Sequence, residues 1–138
     1  MRQILFKAKR KDNNEWVYGT GISKIVINTY ETNRYNIVNN CDYDELDGFI
    51  ETLYDTYEVI PETIGQYTGL EDKNGTKIFE GDIVQLGDIK MEIFWGEDIG
   101  IGYGFCWKPY GEEQNYHESM TGFIDEYEVV GNIHDRKV

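Results

Sequence analysis

The residue types that could carry out chemistry are few in this chain, and none sits at a spacing that a reaction demands. A nucleophilic triad needs a Ser, Cys or Thr beside a His that a carboxylate orients. The only histidines are His117 and His134. His117 lies in a loop-like stretch beside Glu118 and Ser119, and adjacency in sequence does not bring groups face to face. His134 lies near the chain end, where a surface role is commoner. Cys106, flanked by Phe105 and Trp107, reads as a buried apolar thiol rather than an activated thiolate. Cys41 and Cys106 lie far apart without CxxC or Cys/His ligand spacing, and in a cytosolic setting they read as reduced thiols.

Two stretches invite a ligand and fail on spacing. The acidic run Asp42, Asp44, Glu45, Asp47-Gly48 looks like a calcium loop. Such a loop wants oxygens at its first, third and fifth positions, Gly at the sixth and Glu at the twelfth. Counted from Asp42, those last three are Leu46, Asp47 and Leu53. Gly100, Gly102 and Gly104 suggest a phosphate loop, but no Lys-Ser/Thr pair or helical pattern follows, and Phe105-Cys106-Trp107 reads as a strand. Alternate glycines there mark a bend or a close approach of two backbones. A carboxylate pair for glycoside chemistry carries no information, because 26 acidic residues guarantee many pairs. No catalytic residue, metal ligand or cofactor site is therefore assigned.

What the sequence specifies well is scaffold, and its densest part runs from Val59 to Val84. Pro61 pushes Ile60 toward extended geometry, so Glu58-Val59-Ile60 enters as a strand end. Ile64, Gln66 and Thr68 alternate with Gly65, Tyr67 and Gly69, a period of two. Asp72-Lys73-Asn74-Gly75 then predicts a hairpin closed by a type I′ turn at Asn-Gly, with positive φ at both central residues. Glu80-Gly81-Asp82 precedes the strand Ile83–Leu86, as where small barrels turn a corner: Gly supplies the unusual φ and Asp bonds its own following amides.

These residues also resemble a known family. Gln66-Tyr67-Thr68-Gly69-Leu70, Asp72-Lys73-Asn74-Gly75 and Ile78-Phe79-Glu80-Gly81-Asp82-Ile83-Val84 are similar to the signature of YopX-family proteins of bacteriophages and prophages. Ile4-Leu5-Phe6-Lys7-Ala8 stands where that family has an Ile-x-Phe-Arg-Ala-Trp opening, with Lys9 in place of the Trp. Glu128-Val129-Val130-Gly131-Asn132-Ile133-His134 resembles its closing motif, while the middle, from about Gly21 to Tyr57, matches poorly. The resemblance implies a small, mostly β protein with an SH3-like barrel component, encoded by a phage or prophage, with no established activity.

The rest of the chain is read as follows. Ile4, Phe6 and Ala8 alternate with Leu5, Lys7 and Lys9 as a half-buried strand, and Trp16–Thr20 returns as its hairpin partner. Lys9, Arg10 and Lys11 concentrate positive charge, either as a solvated loop or paired with acids of the chain or of a partner. Ile25–Ile27 and Tyr35–Val38 are short strands joined through Thr29 to Asn33. Leu46, Phe49-Ile50, Leu53 and Tyr57 recur at helical spacing behind a first turn of acids, predicting an amphipathic helix, although Thr52, Tyr54 and Thr56 also permit a strand. Lys90–Trp95 is a strand, Gly96-Glu97-Asp98 a turn, Pro109–Tyr116 a polar loop, and Phe123–Ile133 a closing strand with a bulge near Gly131.

Composition bounds function. A chain of 138 residues reads as one domain, 1–138, with N-terminal strands and a possible short helix over 1–59 and a barrel-like part over 60–138. The 11 Tyr, 3 Trp and 15 Gly suit pleated surfaces and tight turns. A net charge of −13 repels phosphate backbones and anionic membrane surfaces, so direct nucleic-acid or membrane binding is not expected. The N-terminus MRQILFKAKRK lacks an apolar signal core, so the cytoplasm of a host bacterial cell is the expected location. The expected fold is mostly β with one short helix and an SH3-like small barrel in the C-terminal half, extended by N-terminal strands. Tyr67, Trp95, Tyr103, Trp107 and Tyr110 surround the barrel segment and are the candidate rim of a peptide-binding groove, with core packing as the competing role. The expected function is a non-enzymatic protein-interaction module for an unknown host or phage protein. The alternatives are an acidic DNA-mimic inhibitor of a host nucleic-acid-binding protein and a small enzyme with a carboxylate-based site. Edge strands in such a fold are open to pairing between chains, so a homo-oligomer belongs among the expectations.

Overall fold

The computed structural model describes residues 4–46, 49–98, 102–111, 118–119 and 126–135; the side chains of 39–55, 97–98, 102–103 and 118–119 lie outside that description. The protein is mostly β and contains a curled half-barrel sheet. Two compact units, Met1–Gln66 and Tyr67–Val138, divide the chain.

In the first unit, β1 (Phe6–Lys9) pairs antiparallel with β2 (Trp16–Gly19), from Phe6 opposite Gly19 to Lys9 opposite Trp16. The pleat puts Phe6, Ala8 and Val17 on one face and Lys7, Lys9, Trp16 and Tyr18 on the other. The first face packs into a core built on Ala8, Ile37 and Val59. Lys7 and Lys9 are buried too, since their aliphatic stems run beneath Trp16 and hold the ammonium groups 4.6 and 5.4 Å from its ring centre. The neighbouring cations turn back onto their own unit. Arg10 stacks 4.3 Å over Tyr57 and pairs with Asp12, and Lys11 reaches Glu58 at 3.2 Å.

A meander of β3 (Gly21–Ile27), β4 (Tyr30–Leu46) and β5 (Phe49–Val59) follows, in the order β3-β4-β5. The helix expected from Asp42 to Tyr57 does not form: both segments are strands, with Tyr43 opposite Thr52 and Ile37 opposite Tyr57. The β-forming Thr52, Tyr54 and Thr56, together with a partner strand that satisfies the whole backbone ladder, outweigh the helical spacing of Leu46, Phe49 and Leu53. Among the described residues, the helical element is a three-residue 3-10 turn, Pro61–Thr63. The β3-β4 turn is tighter than expected, because Ile27 lies opposite Tyr30 and only Asn28-Thr29 intervene. Both have positive φ, 50° and 69°, the type I′ geometry. Ile60 is extended ahead of Pro61, and Thr63 then accepts a 2.8 Å hydrogen bond from the Lys9 amide. The first two residues of β6 (Gly65–Glu71) close this unit against Lys7 and Phe6.

In the second unit, the rest of β6 pairs with β7 (Lys77–Phe79). Strands β8 (Asp82–Leu86), β9 (Ile89–Asp98), β10 (Gly102–Pro109), β11 (Glu118–Ser119) and β12 (Glu128–Asn132) form an antiparallel sheet in the order β11-β10-β9-β8-β12. Its core is Ile78, Val84, Met91, Ile93, Phe105, Trp107 and Tyr127. The turn expected at Gly96-Glu97-Asp98 is instead the end of β9, with Gly96 opposite Gly104 and Asp98 opposite Gly102. A Cβ at Gly96 would sit 2.5 Å from the Phe94 ring, so a glycine is required there for packing rather than for turning. The bulge expected near Gly131 is present, where the β12-β8 register shifts between Val129 and Gly131.

Candidate functional site

The aromatic residues that the sequence groups together have different fates. Tyr67 and Trp107 are core residues: Tyr67 packs 5.6 Å from Phe79, and Trp107 meets Tyr127 edge-on at 5.0 Å. Burial, with Glu71 nearby, pushes the Tyr67 phenol up from its ordinary pKa. Trp95 is half exposed and set edge-on to Phe105 at 4.9 Å. The side chain of Tyr103 lies outside the described residues. Tyr110 is half buried and follows the last residue of β10. With two of the rings inside, no common rim forms from Tyr67, Trp107 and the exposed Trp95.

The described acids best placed to do chemistry are committed to holding the chain. Asp72 is 6% exposed, and its carboxylate accepts the amides of Asn74 (2.8 Å), Thr76 (2.9 Å) and Val129 (2.9 Å). Burial alone would raise its pKa, but those three amides outweigh burial and lower it. The same bonds explain the turn. Asn74 does not take positive φ, so the type I′ turn is not formed. Gly75 alone is left-handed, at φ 80°, and donates to the Asp72 carbonyl at 3.0 Å. Asp72 thus ties the β6-β7 loop to the first residues of β12. Asp82, only 1% exposed, does the same one corner on. It accepts the Phe79 amide at 2.8 Å, a residue before it rather than after as the sequence suggested, and the Asn132 side-chain amide at 2.9 Å. In the first unit, the Glu58 carboxylate is held at about 2, chiefly by the forked Arg34 hydrogen bonds and also by Lys11. Among the described residues, no group of three His, Cys, Asp or Glu side chains could hold a metal ion.

Among the described residues of the second unit, two shallow hollows lie on either side of Lys90 and Tyr110. The β9-β10 register, ending with Met91 opposite Pro109, sets Tyr110 across from Lys90, and the Tyr110 amide donates to the Lys90 carbonyl at 2.9 Å. One hollow, of about 240 Å³, is walled by Ile83, Val130 and Ile133, with Asp135 at its edge. The other, of about 270 Å³, lies toward Asp88, Ile89, Met91 and Pro109. Ile89, Val130 and Ile133 are 54%, 48% and 40% exposed. A tyrosine and a lysine between exposed aliphatics, with single carboxylates at the margins, suit an amphipathic surface better than a reacting molecule. Of these residues, only Tyr110 was singled out by the sequence. The signal available for the others was Gly87-Asp88 before Ile89, and the bulged glycine that splays Val130 outward.

An antiparallel β protein with a curled sheet, buried carboxylates spent on amides and a mixed surface hollow defines a small β scaffold. The family model described as YopX protein matches residues 5–137, and the chain belongs to the YopX family. Among solved structures, the chain is similar to the crystal structure of protein EF1440 from Enterococcus faecalis, at 22% identity and a TM-score of 0.49, over 97% of this chain and 95% of that one. A search of curated proteins found no match. Among the described residues, no helix is long and apolar enough to cross a membrane.

Proposed function

We propose that this protein is a non-enzymatic interaction module, encoded by a phage or prophage, that binds a host or phage protein through the Lys90–Tyr110 surface. The observation that carries this reading is the contrast between the acids and the hollows. Asp72 and Asp82 have their oxygens occupied by amides, whereas Ile89, Val130 and Ile133 stand in solvent around Tyr110. Tyrosine is among the residues that carry most of the energy in protein interfaces.

The test is a paired capture from host lysate with the wild type and a Tyr110→Ala/Ile133→Lys variant, each checked for an unchanged melting curve. Loss of a captured protein with the variant supports the reading. An unchanged capture set removes it. The net charge of −13 also supports a second reading, in which the chain occupies the DNA-binding groove of a host protein. In that case, affinity for such a host protein falls steeply with salt, and affinity that stays flat removes the idea.

A further inference from the structure

The β6-β7 loop that Asp72 holds also carries a pair of residues with chemistry of its own. Of the asparagines in this sequence, Asn74 alone is followed by glycine. At such a pair the glycine nitrogen can attack the side-chain carbonyl carbon of the asparagine, because the glycine has no side chain to block the approach. Here the approach is open. Asn74 and Gly75 are both exposed, and among the described residues a Cβ built on Gly75 would meet nothing nearer than the Glu71 carboxylate, at 4.0 Å.

We propose that Asn74-Gly75 is a site of spontaneous covalent modification, and that Asp72 sets its rate. The Gly75 nitrogen loses its proton and bonds to the Asn74 side-chain carbon. The bond from that carbon to the side-chain nitrogen breaks, and the nitrogen takes up the proton and leaves as ammonia. Water then opens the five-membered imide at one of its two carbonyls, giving aspartate or isoaspartate.

In the folded chain the attacking group is occupied. The Gly75 N–H donates to the Asp72 carbonyl at 3.0 Å, which makes its proton harder to remove and holds the nitrogen toward that carbonyl. The Asp72 carboxylate fixes the residues on either side through the Asn74 and Thr76 amides, at 2.8 and 2.9 Å. The departing side-chain amide is itself tied to Glu128 of β12, at 3.4 Å. The reaction therefore waits for this corner to open, and its rate follows the open population. The two products differ in what they undo. Aspartate keeps the backbone as it was. Isoaspartate routes the chain through the side-chain carbon and adds one methylene between residues 74 and 75, so the Gly75 and Thr76 amides no longer both reach Asp72. Modification removes the closure that had slowed it, and the corner opens one way.

Peptide mapping by mass tests this on the full chain, incubated at mildly alkaline pH either native or unfolded in urea. In urea Asn74 converts before any other asparagine. The native chain converts there at least about tenfold more slowly, as expected when the reactive arrangement needs a local opening. Asp72→Asn, which weakens the grip on the loop, speeds the native rate severalfold and leaves the rate in urea unchanged. Asn74→Gln, which would have to close a larger ring, shows no comparable conversion in either state. The purified isoaspartate form has a lower urea midpoint than the amide form. Equal rates in the native and unfolded chains overturn the proposal, a comparison that needs no variant. So does a native rate that Asp72→Asn leaves unchanged, conversion in urea that appears first at another asparagine, or an isoaspartate form as stable as the original.

Discussion

The two units differ in how the described residues hold their corners. In the second unit, seven buried side chains, Ile93 and Val84 among them, pack into one cluster, and two buried carboxylates lock the corners of the sheet. In the first, the buried hydrophobics among the described residues are Ala8, Ile37 and Val59, while Ile4, Tyr18, Val26, Ile27 and Tyr30 face solvent, as Ile89, Trp95, Val130 and Ile133 do in the second. The β-hairpins repeat the contrast. The β6-β7 loop is held by three amides on one buried acid, whereas the β3-β4 tip has two residues at positive φ, with Val26 and Ile27 about half exposed beside it. Both units leave apolar side chains in solvent, and in the second the described corners are locked by buried acids.

The largest effect expected from that contrast is at Trp107. Trp107→Ala removes a ring at the centre of the second core and costs roughly 3–5 kcal/mol in a denaturant titration. Trp95→Ala, at a half-exposed edge-on ring, costs about 1 kcal/mol or less. Equal losses at the two sites would break the distinction between core and surface rings. Next comes Asp72→Ala, which strands the amides of Asn74, Thr76 and Val129 and costs about 2–3 kcal/mol by the same measurement. Asp72→Asn, which keeps one accepting oxygen, should recover part of that loss.

Acid sharpens the comparison from the other side. Glu58 in the folded chain ionises at about 2 against an ordinary 4.5, and Asp72 is also lowered. A depressed folded pKa contributes stability that is complete above the unfolded value and disappears as pH falls through the folded one. The urea midpoint therefore drops between pH 4.5 and 2, and Glu58→Gln flattens part of that slope. A midpoint that rises on acidification would contradict the assigned hydrogen bonds. The smallest effect is at Thr29, a β-branched residue at φ 69°. Thr29→Gly relieves the left-handed strain and raises stability by up to about 1 kcal/mol.

The sequence made the second unit readable because its glycines, aspartates and alternating apolar residues are local instructions. Gln66 to Val84 predicts its strands, and Gly131 predicts its bulge. The type of the β6-β7 turn was not legible, because Asn74 takes its geometry from Asp72 and from Val129, far away in sequence. The Asp42–Tyr57 segment misled for a related reason. Its spacing fits a helix in isolation, and only long-range pairing with β4 decides for strand. The candidate site was legible at Tyr110 alone. A ring beside a predicted barrel gives no hint of its direction, and Tyr67 and Trp107 turn inward, while Lys90, Val130 and Ile133 reach the surface through register and a bulge.

The most direct test is amide hydrogen exchange on the chain alone and in complex with the host protein it captures. Binding at the proposed surface slows exchange at residues 88–91, 110 and 130–133 and leaves the Trp107 region as protected as before. Protection that appears elsewhere, with those residues unchanged, would show that the partner docks on another face.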